Sequence, residues 1–210
     1  DEVAMQEETN TYKGVERICR AALEWAVANG KKKVLMADKS NVMRYGHDLW
    51  QRVFFGLAKE FPSIAASHMF VDALCMQMVR APEQFEVIVS NNMFGDILTD
   101  LGAARQGGLG GAGSATLHPG RTSMFEPVHG SAPKYAGTGK ANPIGAILST
   151  SLMLETLGHR VAALEIESAV AESIRSGRTT HDLGGSMTTS EVGDLVARAV
   201  AAGMTAGAVP

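Results

Sequence analysis

Short strand-like runs alternate with amphipathic helical patterns along the first half of the chain, and this alternation restricts the possible folds more than any other feature of the sequence. Between residues 14 and 30, Val15, Ile18, Cys19, Ala22, Leu23 and Ala26 recur at three- and four-residue spacing, which predicts a helix ended by Gly30. The apolar run 34–37 predicts a buried strand that breaks into the polar cluster Asp38-Lys39-Ser40-Asn41. Leu49, Val53, Phe54 and Leu57 predict a second helix from about residue 43 to 60, stopping before Pro62. The unit then repeats, with strands predicted at 68–71 and 85–89, a helical turn or two at 73–80, and a helix at 94–106. Such a chain builds an α/β sheet with its sites at the strand ends.

The glycine-rich stretch 107–120 is expected to be irregular and to separate two domains, 1–107 and 108–210. Beyond it lie a strand candidate at 123–128, a loop at 129–142, and helical patterns at 143–157, 162–175 and 189–202. Thr188 and Glu191, at the start of the last helix, have capping-box spacing. Three helices and one strand are poor material for a layered α/β domain. The chain, which does not begin with Met, is therefore expected to be the C-terminal part of a longer protein whose N-terminal strands complete this domain.

The 19 basic residues are nearly balanced by 22 acidic ones, and no basic run is longer than Lys31-Lys32-Lys33. That argues against a chain built around nucleic acid or anionic lipid and favours a small-molecule ligand. Two cysteines, Cys19 and Cys75, are too few for a disulfide framework and fit a reducing, cytoplasmic setting. The most apolar stretch, 146–154, contains Ser149, Thr150 and Ser151 and is closed by Glu155. It falls short of the ~20 apolar residues of a membrane span, and no leader of the signal-peptide type is visible.

Asp96 and Asp100 lie four residues apart in a predicted helix, so their carboxylates share one face. A hard divalent cation, Mg²⁺ or Mn²⁺, would offset their repulsion; a solvated surface pair is the commoner outcome of that spacing alone. Lys39, at a strand end beside Asp38, has the placement of strand-end lysines that act as bases, although an isolated lysine is more often a solvated charge. Asp72 follows a short strand and by itself reads as a helix cap. The loop 129–142 is rich in small residues, has no acidic group, and carries Lys134 and Lys140, which suits a nucleotide phosphate as well as it suits a plain solvated loop. No G-x-G-x-x-G follows a first strand.

Three segments in this order resemble the β-hydroxyacid oxidative decarboxylases, the family of isopropylmalate, isocitrate, homoisocitrate and tartrate/malate dehydrogenases. They are Asp38-Lys39-Ser40-Asn41, the run Asn92-Met93-Phe94-Gly95-Asp96-Ile97-Leu98-Thr99-Asp100, and Phe125-Glu126-Pro127-Val128-His129-Gly130-Ser131-Ala132-Pro133. The resemblance extends from about Gln6 to Ala199. It implies the two-domain α/β fold of isopropylmalate dehydrogenase, incomplete here because the N-terminal strands are absent, with the first domain carrying the dimer surface and metal site and the second the cofactor. It also implies hydride transfer from a secondary alcohol to a nicotinamide cofactor, followed by loss of CO₂. On the family pattern Asp72, Asp96 and Asp100 are metal ligands for Mg²⁺ or Mn²⁺, Lys39 assists proton removal, and Asn41 contacts substrate. Lys39 and Asp72 would reach the site from the partner subunit of a homodimer.

Glu126, His129, Gly130, Ser131, Ala132 and Asn142 match the family's cofactor segment, and Asp182 its C-terminal part. Lys134-Tyr135 resembles the pair that receives the 2′-phosphate of NADP, whereas His181-Asp182-Leu183-Gly184-Gly185 resembles NAD-type enzymes, so NAD is expected with NADP kept open. The family's proton-donating Tyr falls on Asn10, with Tyr12 two positions away as a possible substitute. The substrate-binding arginines belong to the absent N-terminal part. His-Gly-Ser-Ala-Pro in the loop and Asp-Leu-Gly-Gly in the tail point within the family to the isopropylmalate enzymes of leucine biosynthesis. Gly14-Val15-Glu16-Arg17 and Leu101-Gly102 resemble tartrate/malate relatives. The same motifs are compatible with isocitrate as substrate and with a truncated non-catalytic subunit.

Overall fold

The computed structural model describes residues 1–118 and 120–206. The chain divides into two compact units, Asp1–Leu101 and the residues from Gly102 onward. The division falls within a helix, residues 92–105, that ends just before the glycine-rich stretch, a few residues ahead of the expected boundary at 107. Among the described residues no helix is long and apolar enough to cross a membrane.

The first unit is a three-stranded parallel sheet in the order β2-β1-β3, formed by β1 (Lys33–Asp38), β2 (Ala65–Phe70) and β3 (Val87–Ser90). Helices α1 (Tyr12–Ala28), α2 (Arg44–Ala58), α3 (Val71–Arg80) and α4 (Asn92–Arg105) connect and cover it. As the central strand, β1 is buried from Val34 to Asp38, and its alternating side chains feed two cores. Val34 and Met36 join Cys19, Leu23, Trp50, Phe54 and Leu57 of α1 and α2, while Leu35 and Ala37 join Leu74 of α3 and Leu98 of α4. Burial pushes the Cys19 thiol up to about 12, so it behaves as a small apolar side chain. Helix α1 begins where Thr11 caps it, its hydroxyl accepting from the Gly14 N–H at 3.2 Å.

In the second unit β4 (Gly113–Thr116) pairs antiparallel with β5 (Met124–Pro127). They are accompanied by α5 (Ile144–Thr156), α6 (Arg160–Arg175) and α7 (Thr189–Ala206). Strand β4 lies inside the stretch expected to be irregular. Its glycine serves packing: a Cβ on Gly113 would lie 2.9 Å from the Ser149 backbone nitrogen of α5, so only glycine lets strand and helix approach this closely. Ile144, Ala169, Val170, Val192 and Val196 form the helical core of this unit. The capping box forms, with the Thr188 N–H donating to Glu191 at 2.7 Å and the Glu191 N–H donating to the Thr188 hydroxyl at 3.3 Å.

Candidate functional site

The polar cluster after β1 is built by the sheet. Asp38, the last residue of the central strand, is 1% exposed, yet both of its carboxylate oxygens are engaged. Oδ1 accepts from the Ser40 N–H at 3.0 Å and lies 2.8 Å from His68 Nε2, while Oδ2 accepts from Gln51 Nε2 at 3.0 Å. Burial by itself pushes the Asp38 carboxyl up. Donation from Ser40, His68 and Gln51, with the charge of His68, outweighs that and holds it below its ordinary value.

Lys39 follows immediately. Its carbonyl accepts from the Val42 and Met43 N–H groups at 2.9 and 2.8 Å, and its own N–H donates to His47 Nδ1 at 2.7 Å. The side chain reaches across to the start of α3, where Nζ donates to Asp72 Oδ1 at 2.6 Å and lies 5.5 Å from the Phe70 ring centre. The parallel register makes this encounter possible. Asp38 pairs with Phe70, so the residues just past both strand ends emerge at the same edge. Donation from Lys39, supported by the Asp72 and Ala73 N–H groups, holds the Asp72 carboxyl below its ordinary value. Asn41 is exposed in the turn between β1 and α2.

Asp96 and Asp100 stand exposed on α4, one turn apart. Neither carboxylate has a hydrogen-bond or ion-pair partner among the described residues, so two oxygen donors of like charge face outward together. As a donor set they suit a hard divalent cation. Asp72 does not join them. Among the described residues no three His, Cys, Asp or Glu side chains come close enough to hold a metal, so a three-carboxylate site is not assembled within one chain.

Tyr12 opens α1 and is 61% exposed, and its hydroxyl has no hydrogen-bond partner among the described residues. Asn10 is committed elsewhere, its Oδ1 accepting from Trp50 Nε1 at 2.7 Å.

In the second unit Glu126 is exposed on β5, and the loop that follows carries His129, Gly130, Ser131 and Ala132 into a short 3₁₀ turn, Pro133–Tyr135. Ala132 adopts a left-handed φ of 41°, which a larger or branched residue would resist. The Lys134 ammonium lies 4.9 Å from the Tyr135 ring centre. Only the loop's end is tightly held. Asn142, 8% exposed, accepts from the Ile144 N–H and donates to Asp182 Oδ2, both at 2.9 Å, and Asp182 Oδ1 accepts from the Thr180 hydroxyl. The Asn142 side chain thus shapes the loop's exit, while the small residues before it are mostly exposed. Those small residues and the two lysines fit a phosphate-bearing cofactor.

Sequence reasoning missed His47, Gln51 and His68, all of which hold the β1 end. His47 carried a readable signal, since it shares the buried stripe of α2 with Trp50, Phe54 and Leu57.

A parallel sheet with charged groups at its strand ends, joined in sequence to a unit with a small-residue loop, is a mixed α/β architecture. The chain belongs to the isocitrate/isopropylmalate dehydrogenase family, whose model matches residues 1–196. The 3-isopropylmalate dehydrogenase of Thermobifida fusca is 46% identical over 202 residues, covering 95% of this chain and 56% of that protein. That of Zymomonas mobilis is 46% identical over 187 residues, covering 89% and 53%. The crystal structure of isocitrate dehydrogenase from Methylococcus capsulatus matches with a TM-score of 0.87 at 40% identity, covering 92% of this chain and 58% of that one. The TT0538 protein from Thermus thermophilus matches with a TM-score of 0.86 at 42% identity, covering 92% and 40%. The chain thus spans little more than half the length of the curated relatives it matches.

Proposed function

We propose that the chain supplies the lysine, metal-ligand and cofactor-binding residues of a metal- and nicotinamide-dependent dehydrogenase that oxidatively decarboxylates a 2-hydroxy dicarboxylic acid, 3-isopropylmalate above all. The observation that carries this reading is the Lys39–Asp72 ion pair at the end of the central strand, in a family of dehydrogenases. A divalent cation held by the aspartates would supply Lewis acidity, and a nicotinamide held by the loop would supply a hydride acceptor.

The protein's own groups do the rest. Lys39 assists removal of the hydroxyl proton with its Nζ, directly or through a water. Asp96 and Asp100 of one copy, with Asp72 of a second, supply the carboxylate oxygens that hold the cation, which makes a homodimer part of the site. After CO₂ leaves, the enol carbon needs a proton. Tyr12, whose phenol is exposed, is the donor in this reading, because Asn10 has no acidic proton to give and is held by Trp50. Asn41 faces the substrate. Glu126, His129, Gly130, Ser131, Ala132, Lys134 and Tyr135 receive the cofactor, with Asn142 and Asp182 shaping the exit of that loop. NAD is the proposed cofactor and NADP the alternative, given Lys134 beside Tyr135.

Among substrates, the names of the relatives favour isopropylmalate. The glycine shared with tartrate/malate enzymes, Gly14, has a local reason of its own: a Cβ there would meet the capping Thr11 hydroxyl at 2.9 Å. A second reading, a non-catalytic subunit, is favoured by Asn10 standing where the family places its tyrosine.

The deciding experiment assays the 210-residue chain, and a form extended to the full length of its relatives, with Mn²⁺ and each nicotinamide cofactor. Isopropylmalate, isocitrate, malate and tartrate are offered in turn. Reduced cofactor and CO₂ in equal amounts from one acid support the enzyme. No turnover of any acid by the extended form overturns it in favour of the non-catalytic subunit.

A further inference from the structure

His47 has a place in the structure that the proposed chemistry does not yet use. It is 1% exposed, lies in the first turn of α2, and packs edge-on against Phe94 with ring centres 5.4 Å apart. Its Nδ1 is the acceptor for the Lys39 N–H at 2.7 Å. That N–H needs a partner because Lys39 is the first residue past the ladder: Ala37 is the last residue of β1 paired to β3, and Asp38 the last paired to β2. The imidazole stands in for the missing strand partner.

A backbone N–H can only donate, so Nδ1 must present its lone pair, and the neutral ring then carries its proton on Nε2. Nε2 lies 3.5 Å from Glu8 Oε1 and 3.4 Å from Asn91 Nδ2. The orientation of the Asn91 amide is settled by its other contacts, since Oδ1 accepts from the Phe94 N–H at 2.9 Å and Nδ2 donates to Glu8 Oε1 at 3.0 Å. Asn91 therefore turns a donor toward the ring, and the Glu8 carboxylate is the group that faces the Nε2 proton. The Phe94 N–H belongs to the first turn of α4, the helix that carries Asp96 and Asp100.

We propose that His47 is a positioning residue for Lys39. As a neutral imidazole accepting from the Lys39 N–H, it sets the direction in which the lysine side chain leaves β1. Through Glu8 and Asn91 it ties that turn to the start of α4. The inference rests on the proposed role of Lys39 but is tested apart from it.

Three measurements test it. In the 210-residue chain, ¹⁵N NMR of the ring should show Nδ1 unprotonated and Nε2 protonated; a protonated Nδ1 overturns the proposal without any variant. His47→Leu, which keeps bulk but removes the acceptor, should speed hydrogen exchange at the Lys39 amide at least tenfold, and His47→Asn, whose Oδ1 can occupy the Nδ1 position, should restore protection. In the complete protein His47→Leu should lower kcat on the order of 10- to 100-fold, the cost of a misplaced reacting group, with cofactor KM unchanged and kcat regained in His47→Asn. If His47→Leu fails to fold, the ring tautomer and the His47→Asn exchange rate still decide, fast exchange in His47→Asn counting against the proposal. Full protection of the Lys39 amide in His47→Leu overturns it. Should Lys39→Ala keep full activity while these exchange results hold, the role of Lys39 fails and its positioning by His47 stands.

Discussion

The end of β1 and the loop after β5 both follow a strand and both carry residues expected to meet ligands, yet they are held in opposite ways. After β1, the backbone and side chains around Lys39 are tied by Asp38, His47, Gln51 and His68, and the tying groups are buried or half-buried. After β5, the side chains from Gly130 to Lys140 are mostly exposed, the side-chain hydrogen bonds within that stretch are local ones such as Thr138 to the Tyr135 carbonyl, and the half-buried and buried ones come at its end, at Asn142. The difference teaches what each can do. A proton-transferring group must be aimed, and buried hydrogen bonds aim it. A loop that receives a large polar cofactor needs accessible backbone, which small residues provide at the cost of rigidity.

The comparison breaks first at Lys39. In the complete protein Lys39→Ala is expected to lower kcat by roughly 10²- to 10⁴-fold, the range for a lost acid–base group, with cofactor KM nearly unchanged; an unchanged rate would remove Lys39 from the chemistry. Asp96→Asn removes one ligand charge and is expected to weaken Mn²⁺ binding on the order of tenfold or more in calorimetry. Equal affinity in wild type and variant would leave the α4 pair a solvated one. On the loop side, Lys134→Asp is expected to shift the NADP/NAD preference toward NAD by roughly tenfold, the worth of one charge-assisted contact, with kcat kept. A large loss of kcat there would mean that the loop aims a reacting group after all.

The smallest effect concerns stability. Because the folded structure holds the Asp38 carboxyl below its ordinary value, the ionised form stabilises the fold above the unfolded pKa. That contribution is lost as pH falls through the folded value. The gap in Tm between wild type and Asp38→Asn should therefore narrow on acidification below roughly pH 5. A constant gap would show that the shape of Asp38 matters rather than its charge.

Much of the first unit was legible because its elements are written in local periodicity. The strand at 34–37 and the helices around Leu23 and Phe54 need only their own apolar spacing to be recognised. Strand β4 was hidden because Gly113 and the glycines before it look like breakers, and the purpose of Gly113, the close approach of α5, is a contact between residues far apart in sequence. The candidate residues were legible only as types. Lys39 and Asp72 were each ambiguous alone, and what joins them at 2.6 Å is the parallel register of β1 and β2.

By itself, the sequence determined most strands and helices of the first unit and the capping box at Thr188, since each depends on residues within a few positions of one another, and its ordered motifs pointed to the family. Tertiary structure alone decided that Asp38 is a buried anchor, that His47 accepts from Lys39, and that Asp72 sits with Lys39 rather than with Asp96 and Asp100. Those pairings depend on strand register and helix packing, which bring together groups 8 to 33 residues apart that no local period relates.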